Sequence, residues 1–445
     1  MTDCNRKPIL FSSLGRRRVE AYFDGGSLTS DGGALLLREA DRGLGLTAAL
    51  NQVIPDPRNQ DLIVHQQLTM LRQRIYAIAL GNEDLNDHQG LRDDPLIQLA
   101  TERGIQDLPL ASPPTLCRLE NRIGRQTLVA MTKVLVENFI ASQATAPAEL
   151  ILDFDATDDP VYGNQVGRFF HGYYDHYCFL PLYVFCQDQL LVAYLRPSNI
   201  DAAKHAWAIL ALLVKRFRQV WPQVKILFRG DSGFCRWKML RWCERHGVQY
   251  LVGIAKNPRL LKLAQERMQQ AEAQFHKQKQ KQRLFTDLSY AAETWERERR
   301  VILKAEHTEQ GANPRFVVTN LLGAGQALYE QRYCARGEME NRIKEQQLGL
   351  FADRTSCHDF AANQFRVLLS AAAYVLMEHI RRHGLAGTEL ARAQVNTIRL
   401  KLLKIGGRLV HSVRRVVLHL AGGYPLKELF QQVLLRLQGG VVPSG

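Results

Sequence analysis

The chain lacks closely spaced cysteine pairs, and this absence excludes some classes of protein. The 445-residue chain has eight cysteines, and no two of them form a CxxC pair. Without such pairs we expect neither a structural zinc site nor a disulfide framework. Cys235 and Cys243 fall on one predicted helix, too far apart along it to bond each other without distortion. A reducing compartment fits this usage.

Long apolar runs are also absent. Residues 1–22 carry charges throughout, so we expect no signal peptide. The most apolar stretch, residues 371–377, is far too short to span a bilayer. There is no internal repeat and no long low-complexity tract. These absences predict a soluble, cytoplasmic protein with no membrane partner.

Acidic side chains are outnumbered by basic ones. The chain has 58 Lys and Arg against 44 Asp and Glu, a formal net charge of +14. This excess favours a polyanionic partner, most commonly nucleic acid, although a basic but otherwise ordinary enzyme would also show it. From residue 358 onward, 12 Lys or Arg stand against 4 Asp or Glu. That concentration predicts a binding surface, with Arg408, Arg414 and Arg415 as candidate DNA contacts.

The hydrophobic pattern divides the chain into five predicted regions. They are a helical N-terminal DNA-binding domain (1–147), a first core part with strands (148–256), a β-rich insertion (257–320), a second, helical core part (321–385) and a basic helical C-terminal region (386–445). Within the insertion, residues 295–304 and 315–319 read as strands. Strand runs followed by strand–helix–strand alternation predict an α/β fold, with a mixed sheet flanked by helices.

A helix start in the N-terminal region is a candidate DNA reader. A cap and prolines at Ser112–Pro114 precede a helical pattern that places Thr115, Arg118 and Arg122 on one face. Such a helix would fit a major groove, as in a helix-turn-helix. An exposed helix start with ordinary surface arginines is the alternative.

Two aspartates end predicted strands and are candidate metal ligands. Asp155 ends the apolar run 149–155, and Asp231 ends the run 225–231. Side chains alternate along a strand, so Asp153 shares a face with Asp155, and either could be the first ligand. Asp231 precedes Ser232 and Gly233, a turn in which it could instead be an N-cap.

A third carboxylate lies on a predicted helix. Tyr333, Arg336, Glu340, Lys344 and Gln347 follow spacings of three and four and form one polar stripe. A salt-bridged surface face, worth only tenths of a kcal/mol, is the alternative. If the three acids converge, their charges repel unless cations lie between them. Two divalent metals about 4 Å apart are the usual solution.

These motifs together resemble a known family. Asp155-Ala-Thr after a strand, Gly-Asp231-Ser-Gly-Phe, and Tyr-x2-Arg-x3-Glu340 with a following Lys resemble the DDE transposases of bacterial insertion sequences. The fit is to the "insertion sequence four"-like superfamily. Residues 169–185, the Asp231 segment and residues 340–344 resemble the "thirteen-eighty" insertion-sequence family. The resemblance runs from about residue 20 to residue 440.

The resemblance implies a ribonuclease-H-like catalytic core, interrupted before its last acid by the β-rich insertion. It implies that Asp155, Asp231 and Glu340 are catalytic and bind two Mg²⁺ ions, for which Mn²⁺ would substitute. Tyr333 and Arg336 would contact DNA phosphates at the transposon end.

Two further residues are interpreted through the same resemblance. The superfamily pattern places a second Lys where this chain has Gln347, so Lys344 would carry the basic contact alone. Trp295, in the insertion, would stack on a flipped base, as an inserted tryptophan does in related enzymes. A strand tryptophan packing on its neighbours is the alternative.

The function implied is that of a transposase. It would cut double-stranded DNA at the inverted-repeat ends of an insertion sequence and join them to target DNA. It would act as a homodimer in a paired-end complex, in the bacterial cytoplasm and associated with the nucleoid. Two alternatives stay open: a ribonuclease-H-like DNA nuclease without strand transfer, and a non-catalytic DNA-binding protein derived from a transposase.

Overall fold

The computed structural model describes residues 7–104 and 108–439. Its strands are β1 (Ile9–Leu14), β2 (Arg17–Ala21), β3 (Leu28–Thr29), β4 (Glu149–Ala156), β5 (Asp159–Pro160), β6 (Phe169–His171), β7 (His176–Phe179), β8 (Leu182–Cys186), β9 (Gln189–Tyr194), β10 (Lys225–Gly230), β11 (Gln249–Ile254), β12 (Gln282–Tyr290), β13 (Arg299–Thr308), β14 (Gly311–Ala312), β15 (Arg315–Thr319), β16 (Gly407–Ser412) and β17 (Arg415–Leu420).

The helices lie between these strands. They are α1 (Ala34–Leu44), α2 (Leu46–Val53), α3 (Gln67–Leu80), α4 (His88–Leu91), α5 (Pro95–Ala100), α6 (Pro113–Asn121), α7 (Arg125–Ala141), α8 (Ala206–Val220), α9 (Trp237–Arg245), α10 (Pro258–Gln278), α11 (Gly325–Ala327), α12 (Gly337–Lys344), α13 (Phe360–His379), α14 (Val395–Ile398) and α15 (Lys427–Leu437). Shorter 3₁₀ turns occur at Gln60–Leu62, Ser232–Phe234 and Cys334–Arg336, and π-helical stretches at Leu328–Tyr333, Glu345–Gly349, Ile380–Gly384 and Arg399–Leu403.

A nine-stranded mixed sheet dominates the described part of the chain. Its order is β12-β13-β15-β11-β10-β4-β8-β9, with β14 paired to β13. The three central strands β4, β10 and β11 are parallel, whereas β8, β9 and the strands from β15 outward are antiparallel to their neighbours. The predicted mixed sheet flanked by helices is confirmed.

Alternation along β4 explains how the sheet separates a core face from a polar face. Leu150, Leu152 and Phe154 are buried in a cluster that includes side chains of α7, α8 and α9. The Phe154 ring meets the Phe228 ring edge-on, with centroids 5.2 Å apart. Full burial of such a side chain contributes about 1.5–3 kcal/mol. The residues that alternate with them along the strand, including Asp153 and Asp155, point to the opposite face.

The predicted insertion contributes strands to this same sheet. β15 pairs with β11, β13 with β15 and β12 with β13, so residues 282–319 extend the core sheet instead of building a separate one. The strand predicted over 295–304 was placed too early, because β13 begins at Arg299. Trp295 lies in a turn, where its backbone N–H donates to the Ala292 carbonyl at 2.9 Å.

Contacts between backbone atoms group the chain into two compact units. One comprises residues up to Thr47, Asp56–Arg118 and the chain from His379 onward, and the other comprises Ala48–Pro55 and Leu119–Glu378. The first unit brings the two ends of the chain together, since β3 pairs with β16 and β16 with β17.

Two helical expectations are corrected in this first unit. The C-terminal region 386–445 was expected to be helical, yet it contains the β16–β17 hairpin. Alternating Leu, Val and Arg favour a strand there, because β-branched residues pack well on a pleated surface. The N-terminal region 1–147 was also expected to be helical, yet it opens with the β1–β2 hairpin.

Helix α13 and the π-helical turn after it form a longer apolar stretch than the sequence pattern indicated. Phe360–Gly384 is long and apolar enough to cross a membrane by length and composition, but 83% of its apolar window is buried inside the protein. Its polar side chains serve the sheet: Gln364 accepts from the Leu195 N–H at 2.6 Å and donates to the Ala193 carbonyl at 3.0 Å. This is the arrangement of a core helix.

A substitution at Gly33 tests the close packing of the N-terminal segment against residues 402–403. A Cβ at Gly33 would lie 2.0 Å from the Leu402 carbonyl oxygen and 2.5 Å from the Leu403 Cα. Because backbone cannot give way as a side chain does, Gly33→Ala should lower the free energy of unfolding by about 3 kcal/mol. Thermal unfolding followed by circular dichroism measures the loss. Gly90→Ala is the control, since its Cβ would meet nothing within 4 Å; equal midpoints for the two variants would contradict this packing.

Candidate active site

Parallel pairing of β4 and β10 brings two aspartates to one edge of the sheet. The register aligns Asp153 with Arg229 and Phe154 with Gly230, so Asp155 and Asp231 follow at the same level. A helical run from Gly325 to Leu350 packs in the same compact unit. It mixes α, 3₁₀ and π turns, and such π segments are frequent at functional sites. This run carries Tyr333, Arg336 and Glu340.

Arg336 connects two of the three carboxylates. Its Nη1 lies 3.2 Å from Asp155 Oδ2, and its Nη2 lies 2.8 Å from Glu340 Oε1. The Arg336 side chain is largely buried, whereas that of Glu340 is half exposed. The helical salt bridge foreseen from the sequence is therefore present, and it also reaches a strand-end acid.

Strand register and the contacts of Arg336 bring the three acids together, and the direction of the Asp155 pKa agrees with this. Burial raises the pKa of Asp155 to about 6, the Arg336 charge opposes the rise, and the charges of Asp231 and Glu340 add to it. Like charges raise a carboxyl pKa only when they are close to it. Asp155, Asp231 and Glu340 thus interact around Arg336.

Asp231 also caps the turn that follows it. Its Oδ1 accepts the Gly233 N–H at 2.9 Å, at the start of the 3₁₀ turn Ser232–Phe234. The N-cap interpretation is therefore correct as geometry. It uses one carboxylate oxygen and leaves Oδ2 without a hydrogen bond to any described residue, so the cap does not preclude a second role.

Gly253 allows Tyr333 to approach the Asp231 turn. A Cβ at Gly253 would lie 2.6 Å from the Tyr333 hydroxyl oxygen and 2.9 Å from the Ser232 backbone nitrogen. Burial raises the pKa of Tyr333, and the charge of Asp231 contributes. Sequence reasoning missed this glycine, because nothing in the strand pattern of 249–254 distinguishes it.

Asp153 is committed to a different partner. Arg229 forms a two-pronged ion pair with it, through Nε and through Nη2, the latter 2.6 Å from Asp153 Oδ2. The Arg229 Nη1 also donates to the backbone carbonyl of Arg332. Asp153 and Arg229 are both buried. Of the two aspartates that the sequence left in competition, Asp155 is the one that faces Asp231 and Glu340.

Two residues after Glu340 have different surroundings. Lys344 is exposed and forms no ion pair with any residue that the structure describes. Gln347, at the position of the second expected lysine, donates to the Asp158 carbonyl at 2.9 Å. Asp158 also pairs with His176 at 2.9 Å. Gln347 thus holds the segment that follows Asp155, a contact that the sequence did not reveal.

The remaining candidate DNA contacts belong to other elements of the fold. Arg299 covers the Trp295 ring, its guanidinium carbon 5.1 Å from the ring centroid, and Tyr290 meets the ring edge-on at 5.5 Å. Those contacts match the packing interpretation of Trp295. Arg122 follows the last residue of α6. The first compact unit holds the other four, which are exposed: Arg118, Arg408, Arg414 and Arg415.

The three acids have the chemistry of metal ligands but not the spacing of an assembled metal site. Within residues 7–104 and 108–439, no three His, Cys, Asp or Glu side chains stand ready to hold one. Arg336 supplies the positive charge between Asp155 and Glu340 instead. The donors are nevertheless carboxylates, which divalent Mg²⁺ prefers, and their mutual repulsion is what a cation relieves. The donor set fits a divalent ion once Arg336 releases it.

The Asp153–Arg229 pair predicts a large loss of stability when one partner is removed. Arg229→Met leaves a buried carboxylate without its cation and should lower the free energy of unfolding by about 3–5 kcal/mol. Asp153→Leu combined with Arg229→Met removes both charges and should recover much of that loss. Denaturant unfolding measures each variant.

Arg216→Met is the matched control. Arg216 forms an exposed pair with Glu137 at 2.6 Å, and loss of such a pair costs about 0–1 kcal/mol. If Arg229→Met proved no worse than Arg216→Met, the buried pair would not have the importance assigned to it.

Known proteins resemble this chain over most of its length. The family "Transposase DDE domain group 1" matches residues 11–441. A piggyBac transposase, solved by cryo-electron microscopy as a synaptic complex with hairpin DNA, aligns with 94% of this chain and 87% of its own, at 10% identity and a TM-score of 0.45. None of the curated proteins matches. Because the family match covers nearly the whole chain, the protein belongs to the DDE transposases.

Proposed function

We propose that this transposase cleaves DNA at the inverted-repeat ends of a bacterial insertion sequence and joins those ends to target DNA, using divalent metal. The observation that carries the proposal is the interaction of Asp155, Asp231 and Glu340 around one arginine. Three acids gathered at one edge of a sheet are costly unless a cation joins them, so the arrangement favours chemistry on a bound cation.

The strand order supports a ribonuclease-H-like core. Reading outward from β9, the order β9-β8-β4-β10-β11 has two antiparallel steps followed by two parallel ones. In such a core the first and fourth strands in chain order end beside each other. Those strands are β4 and β10 here, and they deliver Asp155 and Asp231. The "thirteen-eighty" type of element is the one we propose, on the motif resemblance.

Each site residue has a proposed role in phosphoryl transfer. Asp155, Asp231 and Glu340 would hold two Mg²⁺ ions, or Mn²⁺ in their place, whose chemistry is to activate the attacking oxygen and stabilise the leaving one. Water attacks the scissile phosphorus first and releases a 3′-hydroxyl. That hydroxyl then attacks a phosphorus of the target, and the target strand's 3′-oxygen leaves.

Positive side chains would neutralise the phosphates beside these acids. Arg336 is positioned to exchange its carboxylate partners for a phosphate, since its planar fork matches either group. Lys344, exposed and without an ion pair among the described residues, is available as a second phosphate contact. Tyr333 would donate a hydrogen bond from its hydroxyl to a DNA phosphate next to Asp231.

Assembly and location follow from this chemistry. Two inverted-repeat ends require two active sites, so we propose a homodimer in a paired-end complex. The nucleoid within the cytoplasm is where its DNA substrate would be. A nuclease without strand transfer would use the same acids, and a strand-transfer assay with pre-cleaved ends distinguishes it, because only a transposase joins them to target DNA.

Amide substitution of each acid tests the site directly. Asp155→Asn, Asp231→Asn and Glu340→Gln should each lower the rate of end cleavage by about 10³-fold or more, as loss of a major electrostatic contribution to the transition state does. Binding to end DNA, measured by gel shift, should stay close to wild type, because the acids do not attract phosphate.

Glu338→Gln is the matched control for Glu340→Gln. Glu338 lies on the same helix and is exposed, so cleavage should be unchanged. Full cleavage by any of the three amide variants would remove that acid from the proposed site.

Metal binding has a test that does not depend on activity. Mg²⁺ added to the full chain should raise the thermal unfolding midpoint, because binding to the folded state alone adds about 2.7 kcal/mol of stability at 100 times Kd. Asp155→Asn should lose most of that shift, whereas Glu338→Gln should keep it. A wild-type midpoint indifferent to Mg²⁺, with ionic strength matched by KCl, would oppose a metal-dependent mechanism.

A further inference from the structure

A groove lined by tryptophans and basic side chains lies in the same compact unit as the acids. Its volume is about 750 Å³. It is formed by the first turns of α8 with the residues just before them, and by the outer face of α9. Its lining includes the rings of Trp207 and Trp237 and four basic side chains, Lys204, Lys238, Arg241 and Arg245.

Topology places one end of this groove at the catalytic edge of the sheet. β10 ends at Gly230, Asp231 follows, and after the short turn Ser232–Phe234 the chain enters α9 at Trp237. A Cβ on Gly233 would lie 3.7 Å from the Cβ of Ala202, just before the groove residues of α8. The groove residues of α9 therefore begin six positions after Asp231 in the chain.

The charge of the groove selects an anion. Lys204, Lys238, Arg241 and Arg245 contribute positive charge, and no Asp or Glu is among the described residues that line it. Glu296 lies near Arg241, but its carboxylate is bonded to Arg299 at 2.8 Å.

The aromatic side chains select a ligand with flat faces. Trp207 is half exposed, and the Trp237 ring has the Lys238 ammonium at 5.6 Å and the Arg241 guanidinium at 5.9 Å from its centroid. The Trp242 ring is already stacked on His246, with centroids 4.3 Å apart. Among the described residues, Trp207 has no ring or cation partner that would compete with a base, whereas at Trp237 a base would share the ring with these two cations.

These observations distinguish an unpaired strand from a duplex. Indole stacking with alternating cations is the chemistry that binds single-stranded nucleic acid, because an unpaired base exposes its faces and a paired one does not. From Trp237 to Arg245 the helix is about 12 Å long, room for about three stacked nucleotides at 3.4 Å each.

We propose that the groove between α8 and α9 binds a single DNA strand, with bases stacked on Trp207 and Trp237 and phosphates paired with Lys238 and Arg241. The inference rests on the proposed function in one respect: the strand would be the one that continues from the phosphate cleaved at Asp231. The groove would hold that strand unpaired while the acids act on its neighbour phosphate.

Binding without cleavage tests this proposal. The probe is a fluorescein-labelled single-stranded oligonucleotide, added to the full chain in EDTA and followed by anisotropy. Trp207→Ala and Trp237→Ala should each weaken its affinity at least fivefold, since stacking contributes about 1–3 kcal/mol per base, which equals roughly 5- to 150-fold. Trp237→Phe, which keeps an aromatic face, should restore most of the affinity.

The contribution of Lys238 and Arg241 is measured by the salt dependence of the affinity. Lys238→Ala combined with Arg241→Ala should lower the slope of log affinity against log salt by about 0.7 for each lost phosphate contact on a single strand. Lys262→Ala is the control, since Lys262 is exposed on α10, outside the groove. Affinity for a duplex of the same sequence should not change in the tryptophan variants.

Two results would overturn the proposal. One is unchanged single-strand affinity in both Trp207→Ala and Trp237→Ala; the other is a loss confined to the duplex. Neither depends on catalysis. A chain that never cleaves DNA but loses single-strand affinity in these variants would refute the proposed function alone, and a cleaving chain with unchanged affinity would refute the groove alone.

Discussion

The buried guanidinium of Arg229 holds together the three segments that carry the site. It pairs with Asp153, two residues before Asp155, and itself lies two residues before Asp231. Its third bond goes to the Arg332 carbonyl, next to Tyr333 and on the helical run of Glu340. A guanidinium is rigid and has donors in fixed directions, so it maintains a single spacing among two strands and a helix. The position of every site acid depends on that spacing.

Charge compensation is the second constraint. It differs between the buried Asp153–Arg229 pair and the contacts of Arg336 with Asp155 and Glu340. Asp153 and Arg229 neutralise each other, and both are buried. At the site, Arg336 neutralises Asp155 and Glu340, and the Glu340 side chain is half exposed. The buried pair gives rigidity, and the partly exposed contacts of Arg336 are the ones that the proposed function would exchange for a phosphate. Farther along α9, the cations of the groove have no acid among their lining neighbours.

Several features were readable from the chain because they depend on neighbouring residues. Strand alternation identified Asp153 and Asp155 on one face, and helical spacing predicted the Arg336–Glu340 pair. Others require residues distant in sequence. The role of Gly253 depends on Tyr333, which lies 80 positions later in the chain and approaches it closely. The role of Gln347 depends on its hydrogen bond to the carbonyl of Asp158. The β16–β17 hairpin was missed because its basic and apolar residues fit a helical pattern as well.

By itself the sequence determined the chemical character of this protein: a basic chain with two strand-end acids, a Tyr-Arg-Glu stripe and the motifs of a DDE transposase. These features follow from residue types and short spacings, because the geometry of a single helix or strand decides which nearby side chains share a face. Tertiary structure alone decided which of two aspartates faces the other acids, that the strands of the insertion extend the core sheet, and that tryptophans from α8 and α9 line one groove. Those outcomes depend on pairing between distant segments, where a buried arginine or a missing Cβ sets the distance.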